Sequence, residues 1–517
     1  MPEHTASVLP ALVVLIPTAA AVVILVLGRF VGWLREILAL LGTAGALVCA
    51  VGIAGAAMGG QALTSFGEQF LADSLSALLV VLVSAIGFLA TVYSLRYMPH
   101  TVQEGDMPHT TTAARLTTYY GWLMLFIATM LWACLSNNII MLYVAVEAST
   151  IASGLLVAFY WDKRALEAGY KYLMLLTVGI TFSLFGCVLV YAAGASILGG
   201  SRGLLLSELR AVAGGFAPTT VILASAFLIV GFGTKAGVAP FHPWLPDAHA
   251  EAPTPVSALL SGVMLKVAIY ALVRTVSLFY PDFAPVALFA LALGAFTLIV
   301  GDVMALAQDD LKRMLAYSSV SQMGYVLMGI GIGTQLGIYA GLFHMLNHAL
   351  AKSLLFLAAG AVIYSTGART ISALSGAAKK MPVTSFCFFA GALAIAGIPP
   401  FNGFQSKLAL FVAGANMGYW WAVIIGMLGS LISMVVVVKA AKSVFWGKPS
   451  SAVDQPTVRE APLPVCAVMV VLAALCLAIG IYPRIVYPPL KAASAAVQTI
   501  HTVSPELVAQ AKVTSSE

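Results

Sequence analysis

The sequence predicts an all-α polytopic membrane protein with about fourteen transmembrane helices. It also predicts two inverted five-helix repeats, each containing a discontinuous helix. Three observations carry this reading. First, 61% of the 517 residues are apolar or aromatic and only 9% are charged, whereas a soluble globular chain carries about 25% charged residues. So few charges cannot cover a water-facing surface, which excludes an ordinary soluble enzyme. Second, apolar stretches of about 20 residues, the length that spans a bilayer, recur almost end to end. Third, two of these stretches are interrupted by Gly and Pro beside a lysine, and the interruptions resemble each other.

Taken between polar or Gly/Pro-rich breaks, the spans lie near 8–28, 34–57, 74–96, 117–136, 138–160, 169–194, 219–238, 255–279, 284–306, 314–332, 336–364, 382–414, 419–444 and 463–483. No hydrophilic stretch between them is long enough to fold separately, so 1–517 reads as a single membrane domain. Within it, 1–116 holds the N-terminal helices, 117–279 a first repeat and 284–444 an inverted second repeat. A last span at 463–483 and a short tail, 484–517, follow. Glu3 and His4 precede the first apolar run where a signal peptide would carry basic residues, so the run predicts a retained first helix. Asp73 heads the third span as a helix cap.

Charge distribution orients the spans. With the N-terminus outside, sixteen Lys and Arg fall on the cytoplasmic side, among them Lys312, Arg313 and Arg369. Six fall outside: Arg202, Arg210, Arg274, Arg484, Lys491 and Lys512. The positive-inside rule therefore predicts both termini on the non-cytoplasmic side of the cell inner (plasma) membrane. Because the basic residues are dispersed, the net charge of +6 points to no nucleic-acid partner. Six scattered cysteines (Cys49, Cys134, Cys187, Cys387, Cys466, Cys476) show no CxxC or CxxCH spacing. They read as small core residues, so no cofactor and no metal are expected.

The four basic residues not yet placed are Lys235, Lys266, Lys352 and Lys407, each inside a predicted span. A charge at the bilayer centre costs about 2.5–3.5 kcal/mol on insertion scales. Arginine stays protonated there, whereas a desolvated lysine can lose its proton. A chain that buries lysines and no arginines is suited to changeable charge. Glu147, mid-span in the fifth stretch, is either a packing glutamate or a carboxylate that tunes a lysine's proton affinity. Lys235 and Lys407 stand beside Gly/Pro-rich breaks, which survive at membrane depth only where protein or water satisfies the freed backbone. The alternative for these lysines is snorkelling to the interface.

The breaks match as Ala236-Gly-Val-Ala-Pro-Phe241 and Ala396-Gly-Ile-Pro-Pro-Phe401, 160 residues apart. That separation is about five spans, an odd number, so the copies are inverted, as in inverted-repeat transporters. His344, His348 and Lys352 recur at steps of four and share one helix face, drifting about 40° per step. Such a stripe suits proton relay, because neutral imidazole both donates and accepts. Zinc chelation and simple packing are its alternatives; no HExxH glutamate supports zinc. Lys266 could link the Lys235 region to this stripe. His242 and His249 either line a cavity mouth or belong to an interfacial loop. Asp302, near Asp309, Asp310, Lys312 and Arg313, reads as a helix-end or loop charge.

At these residues the chain resembles the antiporter-like, proton-translocating subunits of respiratory complex I, with Mrp-type cation/proton antiporter and hydrogenase-4/formate hydrogenlyase membrane subunits. The matching stretches are Phe241-His-Pro-Trp-Leu-Pro-Asp-Ala-His249, Ala252-Pro-Thr-Pro-Val-Ser-Ala-Leu-Leu260, Asp310-Leu-Lys-Arg-Met-Leu-Ala-Tyr-Ser-Ser319, the stripe from His344 to Lys352, and Gly397-Ile-Pro-Pro-Phe-Asn-Gly-Phe404 with Lys407. The resemblance implies fourteen helices in two inverted repeats and a Glu147–Lys235 pair. It further implies a central Lys266, axial His344 and His348, and a terminal proton site at Lys407. Residues 484–517 leave no room for a long lateral helix and anchor, unlike the distal complex I subunit; a middle complex I-type, hydrogenase-4-like or Mrp-type subunit is expected.

The expected function is proton movement along a buried Glu/Lys/His/water chain, driven by other membrane subunits, with a hydrogenase-like or quinone-reducing arm. The chain would then serve an oxidoreductase complex without holding its catalytic centre. The alternative is an Mrp-type Na⁺/H⁺ exchanger driven by the proton gradient, since the polar series specifies protonation sites and not the exchanged ion. Lipid is the remaining expected partner.

Overall fold

The structure, a computed structural model, describes residues 3–104, 111–279 and 284–498. The end of the predicted tail, with Lys512, lies outside them. Six long helices open the chain: α1 (Leu9–Leu27), α2 (Gly32–Met58), α3 (Ser74–Glu104), α4 (Thr112–Leu135), α5 (Ile139–Val157) and α6 (Lys163–Leu198). A short α7 (Leu206–Val212) leads to α8 (Pro218–Lys235), α9 (Trp244–Glu251), α10 (Thr254–Leu259) and α11 (Leu265–Val276). A π turn at Leu260–Met264 joins α10 to α11. The second half holds α12 (Ala284–Leu306), α13 (Leu311–Gly331), α14 (Gln335–Thr366), α15 (Pro382–Ala396), α16 (Asn402–Asn416) and α17 (Trp420–Phe445). The chain then forms α18 (Leu463–Ile481) and α19 (Tyr487–Gln498).

Among the described residues, twelve helices are long and apolar enough to cross a membrane. Two predicted spans are absent from the twelve. The 314–332 stretch forms α13, but Ser318, Ser319, Ser321 and Gln322 dilute its apolar character. The 382–414 stretch divides into the half-length α15 and α16. A small sheet also departs from the all-α expectation. In it β1 (Glu3–Ala6) lies parallel to β2 (Gln61–Ser65), which pairs antiparallel with β3 (Phe70–Ala72).

Polar residues at the span boundaries satisfy the helix starts, which otherwise leave backbone N–H groups unpaired. Asn138 Oδ1 accepts from Ile140 and Met141, Asp162 from Ala165, and Asp310 from Arg313. Asp73 caps α3 through Ser76 N, as its position predicts. The two breaks stop their helices alike. Gly237 and Gly397 have φ of +73° and +79°, a region that L side chains with a Cβ avoid. A Cβ would in addition meet Leu245 Cδ1 at 2.6 Å from Gly237 and Lys407 Cδ at 2.9 Å from Gly397. Each break also contains a cis peptide, Ala239–Pro240 and Pro399–Pro400.

The 32-residue α14 runs through the interior, packed on α10, α13, α15, α16 and α18. Nearly all of its residues from Gly337 to Val362 are buried, so its polar side chains face protein on every side. α14 therefore touches both broken helices, packing on α15 and α16 and stacking its Phe356 on His249 of α9.

Candidate functional site

The four span lysines are inside the protein. Lys235, Lys266, Lys352 and Lys407 are at most 3% exposed, so none of them snorkels. None has a carboxylate oxygen within ion-pair distance among the described residues, where Arg274, Arg313 and Arg369 do. Their amines rest on neutral acceptors instead.

Lys235 ends α8 and reaches across to α5. Its Nζ donates to Val146 O at 2.5 Å, Ser149 Oγ at 2.7 Å and Thr150 Oγ1 at 2.6 Å. These three oxygens surround the backbone of Glu147, whose carboxylate points elsewhere. Glu147 Oε1 accepts from Thr177 Oγ1 at 3.4 Å, and Oε2 is buried without a hydrogen bond. Glu147 is still the charge acting on Lys235 from nearby. The expected pair is thus adjacent but separated. A hydroxyl run continues along α5: Ser153 Oγ donates to Ser149 O, and it meets Tyr172 OH, both at 2.5 Å. The run ends where Tyr172 OH contacts Met264 Sδ at 3.3 Å, in the π turn just before Lys266.

At the centre Lys266 Nζ bonds Ser261 O and His348 Nδ1. The wide π turn lies directly N-terminal to it, a distortion common at functional sites. His348 Nε2 is buried without a partner, as is Asn347 Oδ1. Buried polar atoms of this kind call for ordered water. One turn further along α14, Lys352 Nζ donates to Leu315 O at 2.8 Å.

One turn before His348 on α14, His344 Nδ1 lies 3.0 Å from Ser406 Oγ and its Nε2 3.1 Å from Gln322 Oε1. Lys407, adjoining Ser406 on α16, folds back over its own helix break. Its Nζ donates to Ile395 O at 2.9 Å, Ala396 O at 3.3 Å and Ser430 Oγ at 3.0 Å. The amine also stands 4.9 Å from the centre of the Tyr325 ring, a cation–π distance.

His249, expected at a cavity mouth or in an interfacial loop, lies on α9 and is fully buried. It stacks on Phe356 at 4.7 Å with neither ring nitrogen bonded, and Lys312, Lys352 and Lys266 are its charged neighbours. His242 lies edge-on to Tyr317, 9% exposed. Lys312, expected among the cytoplasmic loops and adjoining helix ends, lies in the first turn of α13, where it is buried and donates to Ala250 O and Ala252 O. Asp302, read as a helix-end or loop charge, is 1% exposed within α12 and bonded to Ser433. The predicted span already ends at 306, one turn beyond Asp302, so the helix-end position holds; what that reading lacked was the burial against Ser433. The sequence reading also passed over Ser149, Thr150, Gln322 and Ser430. The signal was present as hydroxyls following Glu147 and as the Ser-Ser-Val-Ser-Gln run inside a span.

The family model described as "NADH:quinone oxidoreductase/Mrp antiporter, TM" matches residues 136–433, which hold every residue of this site. A second model, "NADH-Ubiquinone oxidoreductase (complex I), chain 5 N-terminus", matches residues 64–105. NADH-quinone oxidoreductase subunit N of Desulforudis audaxviator is 36% identical over 403 residues, covering 77% of this chain and 76% of its own. The Hydrogenase-4 component F homolog of Methylacidiphilum infernorum is 35% identical over 433 residues, covering 81% and 87%. A chain of the membrane-bound sulfane sulfur reductase, an archaeal respiratory membrane complex, is 26% identical and superposes with a TM-score of 0.85 over 97% of this chain and 99% of its own. The chain belongs to the antiporter-like membrane-subunit family of complex I, hydrogenase-type and Mrp-type complexes.

Proposed function

We propose that this chain moves protons through Glu147, Lys235, Lys266, His344, His348, Lys352, Lys407 and intervening water, as a subunit of a redox-driven, complex I-like or hydrogenase-4-like assembly. It would sit in the plasma membrane with both described ends on the outer side, and its spans from 117 to 444 would form the two inverted repeats. Partner membrane subunits and a hydrogenase-like or quinone-reducing arm would supply the drive. One observation carries the reading: four lysines buried on neutral oxygens or imidazole, strung between two helix breaks.

The chemistry follows from that placement. A carboxylate within ion-pair reach holds an ammonium charged, while a buried amine left on neutral acceptors gives up its proton more readily. Lys235 stands in the second arrangement, with Glu147 close enough to supply the first. A small movement of α5 against α8 would switch between them. Protons released there would pass through water to the Lys266–His348 pair, then to His344 and Lys407.

The test is proton movement into vesicles holding the co-purified assembly, driven by its electron donor or by an imposed Na⁺ gradient. Lys235→Ala and Lys407→Ala are expected to assemble normally and lose translocation. Normal translocation by both variants would reject the reading. Movement driven by Na⁺ alone, with membrane-only partners, would instead establish the exchanger.

A further inference from the structure

Asp302 is a carboxylate buried at 1% exposure in α12 that the series above leaves unused. Ser433 Oγ donates to its Oδ1 at 2.8 Å, and Gln322 Nε2 donates to Ser433 Oγ at 3.1 Å. Gln322 presents its Oε1 to His344 Nε2. An amide oxygen only accepts, so in this arrangement His344 carries its proton on Nε2, an assignment made from the network. Every bond from His344 through Gln322 and Ser433 therefore donates towards Asp302. His344 Nδ1 is left as the acceptor facing Ser406, next to Lys407. Asp302 Oδ2 is buried without a hydrogen bond of ordinary geometry, with Ser321 beside it.

We propose that Asp302 is the carboxylate counterpart of Lys407, and that its charge sets the donor direction of the Ser433–Gln322–His344 chain. This deepens the proton-translocation reading and rests on it. The charged groups acting on Asp302 are Lys407 from α16 and Lys352 from α14, and the Tyr325 phenol faces it from α13. With Asp302 ionised, the chain points as described and the carboxylate balances the Lys407 ammonium. When a proton passes from that ammonium to the carboxylate through water, a neutral amine and a neutral acid remain. The acid has its own O–H to donate, so Ser433 can reverse and accept. Gln322 then loses the acceptor that fixed its amide, and His344 is free to exchange the nitrogen that bears its proton. Asp302 thus acts as a positioning residue for His344 and a counter-charge for Lys407.

Asp302→Asn, Asp302→Glu and Ser433→Ala in the whole assembly test this. Asparagine keeps an acceptor for Ser433 but cannot change charge. It is expected to assemble, to lose translocation about a hundredfold, and to lose the infrared band of a buried protonated carboxyl that appears during turnover. Glutamate is expected to restore both, and Ser433→Ala to translocate with a shifted pH profile. Wild-type translocation and pH profile in Asp302→Asn would overturn the proposal. If that variant fails to assemble, an unchanged pH profile in Ser433→Ala overturns it instead. Lys235→Ala measured in parallel separates the two readings. If Lys235→Ala loses translocation while Asp302→Asn keeps it, only the role of Asp302 falls; if Lys235→Ala also translocates normally, the proton pathway falls with it.

Discussion

Cations are treated in opposite ways in the interior and at the two ends of the bundle. The interior holds Lys235, Lys266, Lys352 and Lys407 on carbonyls, hydroxyls and an imidazole, without a carboxylate in ion-pair reach among the described residues. Towards the ends, Arg274 grips Asp73 with two nitrogens, Arg369 takes Glu251 and Asp310, and Arg313 takes Asp247. Residue type follows the setting. Arginine is always charged and matches a carboxylate in a two-pronged geometry, which makes a fixed clamp. Lysine on neutral partners keeps two accessible protonation states. Among these residues, the cations clamped by carboxylates are arginines and those resting on neutral acceptors are lysines.

Making the interior resemble the ends is expected to produce the largest effect. Lys235→Arg retains a cation that α5 oxygens can accept, so assembly should survive. Its proton can no longer be released, and translocation is expected to fall about a hundredfold. Proton movement into vesicles, normalised to assembled complex, checks this. Wild-type flux would mean that a fixed charge suffices at this position, and the distinction between interior and ends would lose its functional meaning.

Much of this division was legible in the sequence. Subtracting the loop charges left four lysines in spans, and burial of all four follows from the cost of charge in hydrocarbon. Both helix breaks were legible because Gly and Pro act locally. What each lysine touches was not. Lys235 bonds residues 85 to 89 positions away, and no local pattern dictates that it takes Ser149 and Thr150 and leaves Glu147 aside. The burial of Asp302 was hidden for a related reason: it stands near a helix end, as its position suggests, but the residue that bonds it, Ser433, is 131 positions away on α17. The pairing of Asp73 with Arg274, 201 residues apart, was equally hidden.

That pair gives the intermediate effect. Both side chains are 11% exposed, and Asp73→Asn leaves the Arg274 guanidinium buried without its counter-charge. Breaking such a pair costs about 3–5 kcal/mol, so the detergent-solubilised complex should melt at a lower temperature. Translocation per assembled complex should not change, because the pair lies off the lysine axis. Burial alone would raise the Asp73 carboxyl above its ordinary value of 3.8, but the guanidinium more than reverses this and holds it lower. A lowered carboxyl stabilises the fold above the ordinary carboxylate range, and that contribution fades as pH falls through the lowered value. Wild type should therefore lose thermal stability below about pH 4 more steeply than Asp73→Asn. Parallel melting curves for the two proteins in acid would contradict the assignment.

The smallest effect is expected where the clamp is most open to water. Arg313 and Asp247 lie 2.5 Å apart, but their side chains are 36% and 25% exposed. They line a charged cavity of about 300 Å³ with Arg164, Glu167, Lys171, Glu251 and Arg369. Exposed pairs contribute at most about 1 kcal/mol, because water screens the attraction and both side chains give up rotamer freedom. In Arg313→Gln, Asp247 also keeps Lys171 at 3.4 Å, so its charge is not stranded. The melting temperature of Arg313→Gln should stay near wild type, and the remaining difference should vanish in high salt, where surface charges are screened. A loss matching that of Asp73→Asn would show that burial does not rank these clamps, and that this cluster carries a load its exposure conceals.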